Sequence, residues 1–377
     1  MNAGIDYARP FAGARWIDVL PRSAACPYLP PQVLLHAGPP FAGQPPAPVL
    51  HAAIQALLYD GMAKDAQAAT DMLTRGGVQL EPAQHHGVVT PLAQVVSATM
   101  PLMAVEQGGA VSYAPIIEGP PPALRFGSPS PACREALRDM HAWVRAALVP
   151  LLRRQAPAID AIISAATRGG DECHARTAAA NAALAGQFGG LEPADAQRLR
   201  NQPAFVLPLL MAAAAAALRS HNGPVAGIGG NGLEFGVHWR TSVSGPPAWI
   251  QCAADAPIGP RFAGHETRSP LAAIGDSAVI DFCGLGGQAL AAAPLLTDEW
   301  QKVLPADAIG RRAVLIDPAS GLVDAQRVRN SGCSPLINLA ILDRAGAYGL
   351  IGRGIYLPPV ALFSPPATGQ PCGNAAP

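Results

Sequence analysis

The chain has 377 residues, with 26 basic and 26 acidic side chains, no formal net charge, half its residues apolar and only 14% charged. That balance, with no Lys/Arg-rich run, excludes the electrostatic footprint of a nucleic-acid binder. Seven scattered cysteines, none in a C-x-x-C pair, exclude a disulfide framework and a zinc ribbon.

Residues 1–16 hold no signal-peptide-like apolar segment, and the most membrane-like run, 203–218, is broken by prolines and short of the ~20 residues a span needs. The expectation is a cytoplasmic protein with reduced thiols, no membrane contact, no metal and no cofactor. With 39 Gly and 40 Pro it is loop-rich, and its length suggests more than one subdomain.

Residues 33–35 form a strand candidate that runs into His36-Ala37-Gly38-Pro39-Pro40. Apolar periodicity predicts a helix over 49–63, and a second over 65–74 that stops at Gly76-Gly77. A strand over 78–80 delivers the chain to His85-His86. Short β-favouring pieces follow at 95–96 and 103–105. From Ser130-Pro131 the pattern turns helical: apolar residues at helical spacing from Leu137 to Leu151, with a kink or break at Pro150, then helices over 159–166, 171–188 and 203–219. Strand signals return at 233–239, 277–283, 313–316 and 348–355, and the chain from Pro359 onward is expected to fray. The whole reads as α/β: an N-terminal α/β part (1–127), a helical segment inserted in or appended to it (128–222), a C-terminal α/β part (223–358) and a Pro/Gly-rich tail (359–377).

The densest polar cluster is Asp171-Glu172-Cys173-His174-Ala175-Arg176. Placed at a helix start, Asp171 would be the N-cap, sharing one face with His174, while Glu172 and Arg176 share another. The plainer reading is a cap and a surface ion pair. Cys173 at a helix N-terminus would have a lowered thiol pKa, or is simply a buried, inert cysteine. Adjacent His85 and His86 suit proton transfer near neutral pH, and on an extended backbone at most one of them faces a given site. Glu118 and Arg125 bracket a proline run, and Asp276-Ser277 opens a strand; each alone reads as structural.

Two glycine loops invite a nucleotide interpretation. Gly227-Ile228-Gly229-Gly230-Asn231-Gly232 matches G-x-G-x-x-G, but an alternating, strand-like segment follows it, so it is rejected. Gly284-Leu285-Gly286-Gly287, read as lying between a strand and a helix over 288–293, could offer backbone N–H groups to an anion. A tight turn needing small residues explains it equally well.

Together these segments resemble the YlbE/YahG-like family across most of the chain. The resemblance rests on Leu35 to Pro40, His85-His86, Thr90 to Ala93, Ser97 to Pro101, Gly170 to Arg176, Asn231 to Gly236, Gly275 to Ser277, Gly284 to Gly287 and Pro335 to Asn338. It implies an α/β fold with an inserted helical part. One branch, AllG-type, is a subunit of an oxamate carbamoyltransferase that moves a carbamoyl group between oxalurate and phosphate in allantoin nitrogen catabolism. By that resemblance the proton-transfer set is His85, His86 or His174, positioned by Asp171 and Glu172. The substrate and anion contacts are His36, Glu118, Arg125, Arg176, Asn231, Glu234, Asp276, Ser277 and the Gly284, Gly286 and Gly287 turn. The implied partners are the other subunits of such a complex (FdrA-like) and a small-molecule substrate. A non-catalytic scaffold or regulatory subunit, or an independent anion- or nucleotide-binding enzyme, is the alternative. Three positions depart from the family pattern: Pro122 replaces a lysine, Gly230 an arginine and Asp343 a histidine. The transferase reading expects the Asp171–His174 stretch to lie opposite His85-His86 across one polar hollow.

Overall fold

The computed structural model describes residues 4–202, 204–240 and 248–366. The strands in chain order are β1 (Arg15–Pro21), β2 (Val33–His36), β3 (Gln79–Pro82), β4 (Pro101–Gln107), β5 (Ala110–Pro115), β6 (Val225–Asn231), β7 (Glu234–Trp239), β8 (Ala248–Ala253), β9 (Ile274–Gly275), β10 (Ile337–Leu342) and β11 (Leu350–Tyr356). The helices are α1 (Arg22–Ala25), α2 (Ala47–Tyr59), α3 (Ala66–Thr74), α4 (Ala132–Trp143), α5 (Val149–Leu152), α6 (Ile159–Arg168), α7 (Ala178–Gln187), α8 (Pro193–Asn201), α9 (Val206–His221), α10 (Ala278–Phe282), α11 (Pro294–Trp300), α12 (Arg311–Leu315) and α13 (Ala325–Ser331).

The fold is α/β, with its strands in four small sheets among the described residues: antiparallel β1-β4-β5, parallel β2-β3, antiparallel β8-β7-β6-β9 and the β10-β11 hairpin. Helix α9 is buried on every side, and its run Ala212 to Ala217 lets it lie close against β4 and β5. Trp16 of β1 meets Phe188 and Phe205 edge-on or tilted, so the helical segment shares its apolar core with the first sheet. Of the kink or break expected at Pro150, the break does not occur. The residues before it, Val144–Leu148, widen into a π-turn and the helix continues as α5, a local loosening that accommodates the missing N–H.

Helix α3 lies within the expected 65–74 span, and Asp65 caps it through the N–H of Ala68 at 2.8 Å. Several further segments differ from expectation, among them Gly227 to Asn231, which lie in β6 and not in a loop. Residues 171–177 form a loop, and the helix begins only at Ala178. The carboxylate of Glu172 accepts from the backbone N–H groups of His174, Ala175 and Arg176, a local alternative to helix that acidic side chains favour. Residues 277–283 are not a strand but hold α10, whose five residues are all buried; a short apolar run buried on every side carries no periodicity to separate helix from strand. The same ambiguity accounts for α12 in place of a strand at 313–316. No helix spans 288–293; two single 3₁₀ turns occupy Gly286–Gln288 and Leu290–Ala292.

Helix α9 starts at Val206, and Pro203 of the expected 203–219 helix lies outside the described residues. The expected tail is anchored at its start, where Leu362 and Phe363 are buried. Trp239 Nε1–H donates to the Leu362 carbonyl at 3.1 Å; residues 367–377 lie outside the described set. No single helix among the described residues is long and apolar enough to cross a membrane.

Candidate functional site

A cavity of about 490 Å³ is bounded by the 174–178 loop at the α7 N-terminus, the end of α8, the Pro91-Leu92 turn, Arg125-Phe126 and the β10–β11 hairpin. Its wall carries His174, Arg125, Arg176, Arg200 and Arg353, the neutral polar groups Thr177, Asn181, Asn201, Gln202, Ser277 and Asn338, and no carboxylate.

The loop that presents His174 is built by Glu172. Besides the three backbone N–H groups, Glu172 accepts from Asn338 Nδ2 at 2.9 Å, and its own carbonyl accepts the N–H of Gly286 at 2.7 Å. Asp171 accepts from the N–H of Ala180 at 3.0 Å, so it does cap the next helix, but from outside it. Cys173, which follows them, has φ +71° and is fully buried. Burial, followed by the two neighbouring carboxylates, pushes its thiol pKa well up, which settles the open choice in favour of an inert cysteine.

His174 Nδ1 sits 2.7 Å from Asp281 Oδ2. Asp281 is itself fixed by α10 and accepts at Oδ1 from the N–H groups of Gly287 (2.7 Å) and Asn338 (3.0 Å). With an acidic partner at Nδ1, that nitrogen carries the proton and Nε2 is left for the cavity. Burial by itself would lower the His174 pKa; the adjoining Asp281, with Glu172 behind it, outweighs burial and holds the pKa above the ordinary histidine value. The result is a cation-favouring imidazole on a wall that already bears arginines.

Those arginines are not equivalent. Arg125 donates to the Glu118 carbonyl (2.6 Å), Glu118 Oε2 (3.3 Å) and the Gly119 carbonyl (2.8 Å), so its fork is consumed internally. It braces the 118–125 loop, in which Glu118 also accepts the N–H of Leu124. Arg353 has a long surface contact with Glu299 at 3.7 Å. Arg176 and Arg200 make no ion pair among the described residues. Two guanidinium groups without an ion pair among the described residues and an imidazole whose pKa is held up give this wall a positive character, while Asp171 lies near Arg176 and occupies the N-terminus of α7.

The other expected site residues lie elsewhere. Asp276 is buried behind Ser277, where it accepts from the N–H of Gly38 (2.8 Å), Gln84 Nε2 (2.5 Å) and the N–H of Thr90 (2.8 Å). Burial outweighs those donors and pushes its pKa up to about 6. His36 is buried, bonded through Nδ1 to the Ala37 carbonyl at 2.8 Å and packed on Phe41; burial lowers its pKa to about 4.

His85 and His86 occupy a 3₁₀ turn, Ala83–His86, and point to different neighbours, but neither lines the cavity. His85 accepts from Trp249 Nε1–H at 3.0 Å beside His238, and His86 meets Glu81 at 2.9 Å. Among the described residues, the cavity that His174 lines does not join them to the Asp171–His174 stretch as expected; the side-chain partner of His174 is Asp281 of α10, which Asn338 of β10 supports through its N–H. Asn231 and Glu234 shape the β6–β7 turn, Asn231 Oδ1 accepting the N–H groups of Leu233 (2.9 Å) and Glu234 (2.8 Å).

The Gly284 turn offers no anion cradle, because its N–H groups are used. Gly286 donates to Glu172 and Gly287 to Asp281, while Arg312 clasps the Gly284 carbonyl at 2.5 Å. Its work is to hold the two acids behind His174. The three departures from the family pattern, Pro122, Gly230 and Asp343, are also absent from the cavity wall. Asp343 caps the β10–β11 turn through the N–H groups of Ala347 (2.9 Å) and Tyr348 (3.2 Å), and a side chain at Gly230 would overlap the Ala273 carbonyl.

Sequence reasoning gives no role to Asp281, Arg200, Asn338 or Arg353. Asp281 was hidden in a segment read as a strand, and Arg200 sits in an Arg-Leu-Arg helix end that looks like solvent-facing charge. Among the described residues no group of three or more His, Cys, Asp or Glu is arranged to hold a metal ion.

A family model described as oxamate carbamoyltransferase subunit AllG matches residues 78–277, just over half of the chain. Oxamate carbamoyltransferase subunit AllG of Escherichia coli (strain K12) is 31% identical over 406 residues, covering 95% of this chain and 93% of that protein. The chain belongs to the AllG family. Protein YahG of the same bacterium is 30% identical over 390 residues, covering 92% of this chain and 79% of its own. Among solved structures, a conserved protein of unknown function from Enterococcus faecalis V583 superposes with a TM-score of 0.79 at 26% identity, covering 95% and 94% of the two chains. The AllG match takes in His174, Arg176 and Arg200, whereas Asp281, Asn338 and Arg353 lie C-terminal to it.

Proposed function

We propose that this AllG-family chain is a subunit of a carbamoyl-transferring complex, acting with FdrA-like partner subunits, and that the arginine-lined cavity is where a carbamoyl group passes between oxalurate and phosphate. The single observation that carries the reading is the Asp281–His174 pair on a cavity wall with arginines and no carboxylate. Arg176 and Arg200, with Arg353 at the rim, hold the phosphate and the substrate carboxylate. A phosphate oxygen attacks the carbamoyl carbon, and guanidinium N–H groups stabilise the oxyanion that develops. The C–N bond then breaks. His174 Nε2 delivers a proton to the departing nitrogen, giving oxamate, and is reprotonated by the proton lost from phosphate as carbamoyl phosphate forms. Asp281 keeps the imidazolium oriented throughout, and Asp171 and Glu172 hold the loop rather than react.

The test is carbamoyl phosphate formation from oxalurate and phosphate by the chain reconstituted with its partner subunits. His174→Gln is expected to lower turnover by about 10²-fold or more, while His85→Gln leaves it within a few-fold. Unchanged turnover in His174→Gln would make this chain a non-catalytic scaffold.

A further inference from the structure

Asn338 lines the cavity, is fully buried, and has an Oδ1 with no hydrogen-bond partner. Its orientation is not free. Glu172 Oε1 takes the Asn338 NH₂ at 2.9 Å, and the same carboxylate is surrounded by the N–H groups of His174, Ala175 and Arg176. A carboxylate so placed is an acceptor, so the amide must turn its NH₂ toward Glu172 and its oxygen away. The backbone is pinned as well, because the Asn338 N–H donates to Asp281. A buried acceptor locked in place without a donor is costly, and in a native protein it calls for an occupant that supplies one. Asn338 and His174 share Glu172 on one side and Asp281 on the other, so the residue that bears the unpaired oxygen belongs to the same corner of the cavity as the proton-transfer imidazole.

We propose that Asn338 Oδ1 accepts the N–H of the substrate's leaving nitrogen, making this residue the one that distinguishes an amide-bearing anion from an isosteric anion without N–H. The inference rests on the carbamoyl-transfer reading and deepens it. With its N–H tied to Asn338, the nitrogen keeps its developing lone pair free for the proton from His174 Nε2. The departing amide leaves with one hydrogen it already had and one from the imidazolium.

The test is calorimetric titration of the full chain with oxamate and with pyruvate, which share a carboxylate and a size and differ by NH₂ against CH₃. The wild type is expected to bind oxamate roughly tenfold or more tightly than pyruvate. Asn338→Ala and Asn338→Ser should lose that preference while keeping pyruvate affinity. Equal wild-type affinities, a ratio that needs no variant to fold, would mean that water satisfies Oδ1; that would overturn the inference and leave the anion cavity standing. Preference retained in both variants would also overturn it. Binding of neither anion by the wild type would remove the inference together with the functional reading beneath it.

Discussion

His174 owes its chemistry to a residue more than a hundred positions away, since Asp281 reverses the effect that burial alone would have on it. The sign follows from linkage. Because the folded pKa lies above the unfolded value of about 6.5, the pair stabilises the fold fully below that value, and the contribution is lost as pH rises through the raised pKa. Asp281→Asn can still accept from the N–H groups of Gly287 and Asn338 but removes the charge. The His174 ring protons, followed by NMR, should titrate above an exposed histidine in the wild type and below it in Asp281→Asn. Coincident titrations would show that Asp281 does not set the protonation of His174. At this scale the sequence reading found the right acid in Asp171 with the right task, capping α7, but started the helix at that residue, whereas it begins at Ala178. What it could not see was that Glu172 would gather three consecutive backbone N–H groups and hold the stretch as a loop.

Buried carboxylates tie together the elements around the site. Asp276, between β9 and α10, ties down the Gly38 turn after β2, the Gln84 turn after β3 and the Thr90 segment. Replacing it by alanine would leave several buried donors unsatisfied, and Asp276→Ala is expected to cost about 3 kcal/mol or more in urea unfolding. A loss under about 1 kcal/mol would show that water or rearrangement replaces the carboxylate. Elements with clear periodicity, such as α3, α6 and the alternating β7, were legible in the sequence. Those that were not, α10 and α12, are short and apolar, and only their tertiary surroundings decide between helix and strand.

Across the whole molecule, α9 is the buried strut on which β4 and β5 lie, and its alanine run could be read from the sequence as a close-packing helix. The meeting of distant segments was much less legible. His85-His86 and the Asp171–Arg176 stretch are both polar motifs, and nothing in local pattern says that α10 and β10, not the histidine turn, stand behind His174. The resulting geography gives two separate polar corners: the arginine cavity, and the cluster of His85, His238 and Trp249. A crystal of the protein soaked with oxamate distinguishes them most directly. The account predicts oxamate in the cavity, its carboxylate against Arg176 and Arg200 and its amide beside His174 and Asn338. Oxamate bound against His85 and Trp249, with the arginine cavity holding only water, would contradict it.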